Sequence, residues 1–196
     1  MNYLAHLYFS APRPLAWAGS LMGDFVKGND HRDLPEDLVI HLQLHRHLDT
    51  CTRTSLPFQT SRRRIDPRFR HGRSVLVDVF YDHFLACQWD RWCARPLPDF
   101  ARHVYAGLLQ CQHLLPPLLQ RQLPRMIADD WLTSYRTAAV IERVLQRLEQ
   151  RLGHKVPLAA GYHELERLRA PMQEDFSAFM VEAADLTAQW HKRAGR

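Results

Sequence analysis

The apolar positions of this chain recur at helical spacing along most of its length. Between Ala138 and Leu152, four apolar side chains are spaced four residues apart, which places them in one stripe on an α-helix: Val140, Val144, Leu148 and Leu152. Helices are predicted over 38–53, 74–93, 98–115, 126–152 and 171–193. Only 74–77 has the composition of a strand, and its continuation fits a helix equally well. We therefore expect an all-α fold, a single-domain bundle of roughly seven helices spanning residues 1–196.

Proline, glycine and acidic residues predict the ends of these helices. Pro35-Glu36-Asp37 is typical of a helix start, with proline and acids in the first turn. Pro116-Pro117 and Pro124 are expected to break the chain between the helices over 98–115 and 126–152. Gly153, followed by Pro157, predicts the end of the second of these.

Composition narrows the class of protein. A length of 196 residues with 46% apolar and 24% charged residues is that of a one-domain globular protein and excludes disordered and collagen-like chains. The four cysteines form no Cys-x-x-Cys pair, which argues against a thiolate zinc site or a disulfide framework. No signal peptide is recognisable, and no apolar run reaches the roughly 18 residues of a membrane span. We expect a cytoplasmic protein with no membrane partner.

Charge indicates an anionic partner. The net charge is +5 with histidine neutral, and all but three of the 26 basic residues are arginine. This balance favours phosphate, nucleic acid or an acidic protein without choosing among them. One stretch, interrupted by Pro67 and Gly72 and so predicted to be a loop, is a solvated surface or a docking patch for an acidic protein or phosphate chain. Few aromatic residues are interleaved in it, which disfavours nucleic acid. Its arginines are Arg62, Arg63, Arg64, Arg68, Arg70 and Arg73.

Histidine is unusually frequent, with 12 residues, and the informative histidines share helical faces with carboxylates. His41, His45 and Asp49 follow one another at intervals of four, so they stack on one face of a helix. Leucines flank this face, which must therefore point partly inward. Two buried imidazoles and a carboxylate cost free energy unless a partner such as a metal ion satisfies them.

A second helical face carries Asp78 and Asp82 one turn apart, next to His83. Two carboxylates on an apolar face repel each other unless a cation or a proton lies between them. His6, in an apolar N-terminal segment, and Asp24, after a stretch of small residues, are further candidates. Oxygen and nitrogen donors without thiolate favour Mn, Fe, Mg or Zn.

Each candidate also has a purely structural interpretation. A buried His or Asp is more often a hydrogen-bonded core residue than a ligand. Asp24 could cap a helix, and Asp49 could pair with Arg46 or Arg53. The coincidence of a His/Asp face and an Asp/Asp face in one small helical chain favours a metal-dependent hydrolase. No other catalytic signature competes with this hypothesis, and Ser20 is interpreted as a packing residue.

Four short segments follow one another along the first 90 residues, and a fifth lies further on: Met1-Asn-Tyr-Leu-Ala-His6-Leu, Gly23-Asp24-Phe25-Val26-Lys27-Gly28-Asn29, His45-Arg46-x-x-Asp49, Asp78-x-x-x-Asp82-His83-Phe84-Leu85 and Trp131-Leu132-x-x-Tyr135-Arg136. As a set, these segments resemble the acyl carrier protein phosphodiesterase family.

The resemblance implies an HD-domain-like helical fold and a reaction connected with fatty acid biosynthesis. The family hydrolyses the phosphodiester that joins 4′-phosphopantetheine to a serine of holo-acyl carrier protein, which releases the apo-protein. It uses a divalent metal, typically Mn²⁺, with Mg²⁺ or Fe²⁺ as alternatives. His41 is a lesser candidate for its site. Carried over by position, the candidates for metal binding and catalysis are His6, Asp24, His45, Asp49, Asp78, Asp82 and His83.

Further roles follow from this chemistry. His45 or His83 could protonate the leaving serine oxygen, and Arg46 could neutralise phosphate charge or pair with Asp49. An acidic carrier protein would give the arginine-rich stretch its partner. Two alternatives stay open. One is an HD-type phosphohydrolase that acts on a nucleotide or other small phosphodiester, and the other is a non-catalytic helical protein that binds an acidic partner.

Overall fold

The computed structural model describes residues 1–28 and 33–193, so Asn29 of the second family segment lies outside the described residues. Within these ranges the chain forms α-helices joined by short 3-10 turns, without strands, which confirms the predicted single all-α domain. The helices are α1 (Tyr3–Phe9), α2 (Pro14–Met22), α3 (Glu36–Thr52), α4 (Leu56–Arg64), α5 (Gly72–Cys87), α6 (Leu97–Gln110), α7 (Pro117–Ala128), α8 (Trp131–Ser134), α9 (Ala138–Arg151), α10 (Tyr162–Arg167) and α11 (Arg169–Arg193).

Helix α5 is the centre of the core. It is apolar on nearly every side, and Leu76, Phe80 and Phe84 are completely buried. Helices α1, α4, α9 and α11 pack around it, as expected for a helix that has no polar face. None of the helices in the described ranges has the length and apolarity to cross a membrane.

Helices α2 and α3 pack closely because glycines in α2 and just after its end face α3. A Cβ atom at Gly19 would lie 2.1 Å from the carbonyl oxygen of Leu38, and one at Gly23 would lie 2.2 Å from the ring of His45. Such distances are shorter than any van der Waals contact, so both positions require glycine for the observed approach. The stretch of small residues therefore brings the histidine face of α3 against α2.

The helix predicted over 126–152 is divided, and the prediction of one continuous helix is wrong. Asp130 adopts a left-handed backbone conformation, with φ 41°, which interrupts the chain between α7 and α8. Its carboxylate accepts hydrogen bonds from the hydroxyls of Tyr105 and Thr133, and these contacts hold the turn in place.

Pro124 does not break the chain as expected but lies inside α7. The helix loses one backbone hydrogen bond there, and the buried side chains of Leu123 and Met126 offset this loss. The segment 74–77 is helical within α5, and the helix predicted to reach residue 93 ends at Cys87.

The apolar stripe predicted on α9 is present, but it does not form the core face of that helix. The fully buried residues of α9 are Ile141 and Leu145. Val144 and Leu148 are only half-buried, and Leu152 is exposed. The stripe therefore faces a surface cavity, which is described below.

Candidate metal centre and the adjoining cavity

Three predicted ligands, His6 on α1 and His45 and Asp49 on α3, meet at one point. A donor atom from each lies within 4.8 Å of the others. The His6 Nε2 atom is 3.1 Å from Asp49 Oδ1, and the His45 Nε2 atom is 3.3 Å from Asp49 Oδ2. The two imidazole rings stack with their centroids 3.6 Å apart. Nitrogen and carboxylate donors this close together suit one divalent cation.

The orientation of His45 is fixed from the side opposite the cluster. Its Nδ1–H donates a hydrogen bond to the carbonyl oxygen of Ser20 at 2.7 Å. In the neutral ring, this bond leaves the lone pair on Nε2, which faces Asp49. The Ser20 hydroxyl in turn donates to the carbonyl oxygen of His6 at 2.9 Å. Support of this kind is typical of metal-binding histidines, and the sequence indicated only the packing role of Ser20.

His6 has unsatisfied polar atoms. Both of its ring nitrogens are buried and lack an aligned hydrogen-bond partner, although Asp49 lies close to one of them. Burial and the neighbouring charge of His45 lower the pKa of His6 to about 4. The imidazole is therefore neutral at pH 7 with a lone pair to offer. Because an unsatisfied buried nitrogen is costly, the donor set fits a cation at this point.

The charges of His45 and Asp49 depend on each other. Burial alone would lower the pKa of His45, but its interactions with Asp24 and Asp49 outweigh burial and raise it to about 9. Burial alone would raise the pKa of Asp49, but His45, His6 and the amino group of Met1 hold it well below its usual range. Without a metal ion, His45 therefore carries a proton that balances the carboxylates.

Asp78 reaches the edge of this cluster through the amino group of Met1. That nitrogen lies 3.0 Å from Asp78 Oδ1 and 3.1 Å from Asp49 Oδ1. Burial would lower the pKa of the amino group, but the two carboxylates raise it to about 10. The sequence predicted a cation or a proton between Asp78 and Asp82, whereas the structure places an ammonium group between Asp78 and Asp49. No side-chain pattern could have indicated it.

Asp82 holds the start of α1 instead of joining the three-residue cluster. Its carboxylate accepts hydrogen bonds from the backbone amides of Leu4 at 2.8 Å and Ala5 at 3.1 Å. Burial raises the pKa of this carboxyl to about 7. Because His6 lies in the same short helix, Asp82 contributes to the position of His6.

His83 also lies apart from the cluster. Its Nδ1–H donates to the carbonyl oxygen of Tyr135 at 2.7 Å, and its Nε2 lies 3.4 Å from the guanidinium of Arg169. Burial lowers the pKa of His83. The ring is therefore neutral and occupied by partners from the segments around α8 and α11.

His41 and Arg46 have local partners as well. His41 is buried and donates from Nδ1 to the carbonyl oxygen of Asp37 at 2.8 Å. Arg46 donates to the carbonyl oxygens of Val26 and Gly28 and does not form the predicted pair with Asp49. It holds the segment that follows Asp24. The structure does not bring either side chain into the three-residue cluster.

Asp24 lies on the open side of the cluster. Its side chain is 59% exposed, and Oδ1 is 3.5 Å from His45 Nε2. Contact with His45 lowers the pKa of Asp24. Asp24 is therefore a mostly exposed carboxylate next to the cluster.

A cavity of about 520 Å³ begins at Asp24. Its lining includes Tyr3 and Trp131 together with Arg143, Arg147 and Arg151 of α9. None of the arginines of the predicted docking patch lines it. The α9 arginines were not singled out from the sequence, although their interval of four residues was a signal that could have found them.

The predicted docking patch is mostly helical, so its interpretation as a loop is wrong. Arg62, Arg63 and Arg64 form the last turn of α4, and Arg73 lies in the first turn of α5. Arg64 is paired with Asp175 of α11 at 2.9 Å. Arg63, Arg68 and Arg70 are exposed.

Comparisons with known proteins agree along nearly the whole chain. The family model described as acyl carrier protein phosphodiesterase matches residues 1–183. Proteins named acyl carrier protein phosphodiesterase from Yersinia pestis and Yersinia enterocolitica are each 30% identical, with 91% of this chain and 93% of the relative covered. One of the same name from Enterobacter is 28% identical, over 93% of this chain and 97% of the relative. No solved structure matches the chain.

Proposed function

The chain belongs to the acyl carrier protein phosphodiesterase family, and from this premise we propose that it hydrolyses holo-acyl carrier protein. The bond broken is the phosphodiester between 4′-phosphopantetheine and a serine of the carrier, and the products are apo-carrier and free 4′-phosphopantetheine. The chain is thus a phosphoric diester hydrolase. The observation that carries the proposal is the cluster of His6, His45 and Asp49 inside the matched residues. Nothing favours the nucleotide phosphohydrolase over it.

The proposed cofactor is a divalent metal ion, Mn²⁺ first and Mg²⁺ or Fe²⁺ as alternatives. Its proposed ligands are His6, His45 and Asp49, with the carboxylates of Asp24 and Asp78 beside them. Support comes from the unsatisfied nitrogens of His6 and from the fixed ring of His45. When bound, such an ion supplies Lewis acidity, which polarises a phosphoryl oxygen and lowers the pKa of a water molecule.

The protein's own residues orient the reactants around this centre. The phosphodiester approaches from the open side, next to Asp24, whose exposed carboxylate can accept a hydrogen bond from the attacking water. The water oxygen bonds to phosphorus as the bond to the serine oxygen breaks. One water proton leaves to solvent, and the serine oxygen takes up a proton.

The proposal assigns no protein residue as general acid. His45 acts as a ligand here, so its Nε2 has no proton to give. The Nε2 atom of His83 faces Arg169. On the open side of the cluster, solvent reaches the leaving oxygen directly, as the exposure of Asp24 indicates. The predicted general-acid roles of His45 and His83 are therefore omitted, and Arg46 is proposed to fix the loop that carries Asp24.

The proposal also covers the extent of the domain, its compartment and its partner. The catalytic domain is proposed to span residues 1–196 in the cytoplasm, where the free state of all four cysteines is expected. The partner is an acidic carrier protein that docks near the exposed arginines of α4 and the turn after it. The likeness to HD domains stays a prediction.

The test is the intact mass of a holo-acyl carrier protein after incubation with this protein and Mn²⁺. We expect loss of the complete phosphopantetheine mass, and no loss when a chelator is present. An unchanged carrier mass with folded, metal-loaded protein would contradict the proposal. Hydrolysis of nucleotides by the same preparation would then favour the alternative.

A further inference from the structure

Three arginines lie in a row along α9. Arg143, Arg147 and Arg151 are four residues apart, so their side chains spread over about 12 Å along the helix and about 80° around it, and all three line the cavity. In the described part of the chain, none of them forms an ion pair, whereas Arg64 and Arg167 each do. Like charges at this spacing destabilise a helix. The uncompensated row therefore points to an anionic ligand.

The row lies in a cavity that adjoins the candidate metal centre, since Asp24 lines this cavity and its Oδ1 is 3.5 Å from His45 Nε2. All three arginines line the cavity that begins at Asp24. Burial and the charge of Asp24 raise the pKa of the Tyr3 hydroxyl, and the charge of Arg151 opposes this rise, so Arg151 acts on the same part of the cavity as Asp24. A phosphate group beside the cluster would thus lie within the field of Arg151.

The other surfaces of the cavity suit a slender, partly apolar ligand. Tyr3 and Trp131 stand nearly parallel, with ring centroids 6.5 Å apart and an interplanar angle of 14°. Val144 and Leu148, which belong to the half-buried stripe of α9, also line the cavity. Aromatic and apolar walls with a few converging polar groups are typical of small-ligand sites. The volume of about 520 Å³ lies in the range of such sites.

We propose that this cavity receives the 4′-phosphopantetheine arm of the substrate. Arg151 contacts the phosphate, Arg147 and Arg143 extend the positive field along the cavity, and Trp131 packs against the pantetheine chain. The inference rests on the proposed function, and it adds the residues that recognise the prosthetic group. The planar fork of arginine suits a phosphate group, which accepts paired hydrogen bonds from it.

The test measures binding of free 4′-phosphopantetheine and of pantetheine, which lacks the phosphate, to the Mn²⁺-loaded protein by calorimetry. We expect R147Q/R151Q to weaken phosphopantetheine binding by about tenfold or more and pantetheine binding by less than about twofold. Trp131→Ala should weaken both ligands by a similar factor, because it removes contact with the shared chain. The affinity of Arg151→Lys for phosphopantetheine should lie between those of Arg151→Gln and the original protein, because lysine keeps the positive charge but lacks the planar guanidinium group.

A matched control removes the same charge elsewhere. R53Q/R95Q changes two exposed arginines outside both the cavity and the docking patch, and we expect it to leave both affinities within about twofold of the original. Equal losses in R53Q/R95Q and R147Q/R151Q would overturn the proposal, because they would reflect net charge alone. Unchanged phosphopantetheine binding in a folded R147Q/R151Q variant would also overturn it.

Turnover of holo-carrier separates this inference from the proposed function. For R147Q/R151Q, we expect KM to rise by about tenfold with kcat within about threefold. If the original protein cleaves the carrier and the variant shows an unchanged KM, the cavity assignment fails and the function stands. If the original protein does not cleave the carrier but binds phosphopantetheine through these arginines, the function fails and the cavity assignment stands.

Discussion

The candidate metal cluster of His6, His45 and Asp49 adjoins, through Asp24, the cavity that the arginine row of α9 lines, yet the two regions are built in opposite ways. The cluster joins donors from two helices, and His6 and His45 are each only 2% exposed and held by neighbours. The row comes from a single helix, is exposed, and has no ion-pair partner among the described residues. Buried, mutually dependent groups respond to substitution as a unit, whereas exposed charges act separately and are screened by salt. Substitutions in the two regions should therefore differ in the size of their effects on binding and activity and in how strongly those effects depend on salt.

The largest effect is expected for Asp49→Asn. The change removes the carboxylate that contacts both histidines and leaves their nitrogens facing a neutral amide. We expect bound metal to be lost and carrier hydrolysis to fall by about a thousandfold or more. Metal content by mass spectrometry and initial rates of holo-carrier cleavage provide the measurement. Asp185→Asn, on the exposed face of α11, is the matched control, and retention of metal by Asp49→Asn would contradict the ligand assignment.

A second effect concerns pH. His45 has a pKa of about 9 in the metal-free protein, so it must release a proton before it can bind a metal ion. Apparent metal affinity should rise by about tenfold per pH unit up to pH 9 and then level off. Titrations with Mn²⁺ at several pH values, limited to conditions that keep the ion soluble, test this expectation. An affinity that does not vary between pH 6.5 and 8.5 would remove His45 from the ligands.

The same proton affects the stability of the metal-free protein. The folded pKa of His45 is raised above its ordinary value of 6.5. Its stabilising contribution is therefore fully present below pH 6.5 and is lost as the pH rises through about 9. Metal should reverse this trend, because the bound ion replaces the proton. Denaturant unfolding with and without Mn²⁺ at pH 6.5 and 9 compares the two cases.

Gly23→Ala should give a smaller effect that still belongs to the buried cluster. The new Cβ would lie 2.2 Å from the His45 ring, so the ring must move. We expect metal affinity to fall by about tenfold and unfolding free energy to fall by about 1–3 kcal/mol. Gly107→Ala, which would clash with Trp17 away from the cluster, should cost stability without loss of metal affinity. Equal metal affinity of the two variants would show that Gly23 does not control the position of His45 in the metal site.

The smallest effect is expected at the exposed arginines of the docking patch. Replacing Arg63, Arg68 and Arg70 by glutamine should raise KM for the carrier by about threefold at low salt. The difference should disappear near about 0.5 M salt, because exposed charges are screened there. Metal content and kcat should not change. A rise in KM that persists at high salt would show that these arginines make a specific contact with the carrier and do not act by long-range attraction.

The sequence was sufficient for the helical class and for part of the site. His45 and Asp49 are one turn apart on α3, and helical spacing alone predicts that they share a face. The same spacing predicted His41 as well. Two turns separate His41 from Asp49, which is about 12 Å along the axis and roughly 80° around it. His41 therefore reaches Asp37 and the segment near Ala11 instead of the cluster.

Only the tertiary structure decided which candidates meet. His6 lies on α1, far from α3 in the chain. It lies beside His45 because Asp82 accepts hydrogen bonds from the backbone amides of α1, and because glycines in α2 and just after it allow α2 and α3 to approach closely. The half-buried stripe of α9 and its arginines became a cavity wall because α8 and the start of α1 stand opposite. Local spacing determines which side chains share a helix face, since the helical repeat is fixed. The packing of helices distant in sequence determines what that face meets, and spacing carries no information about it.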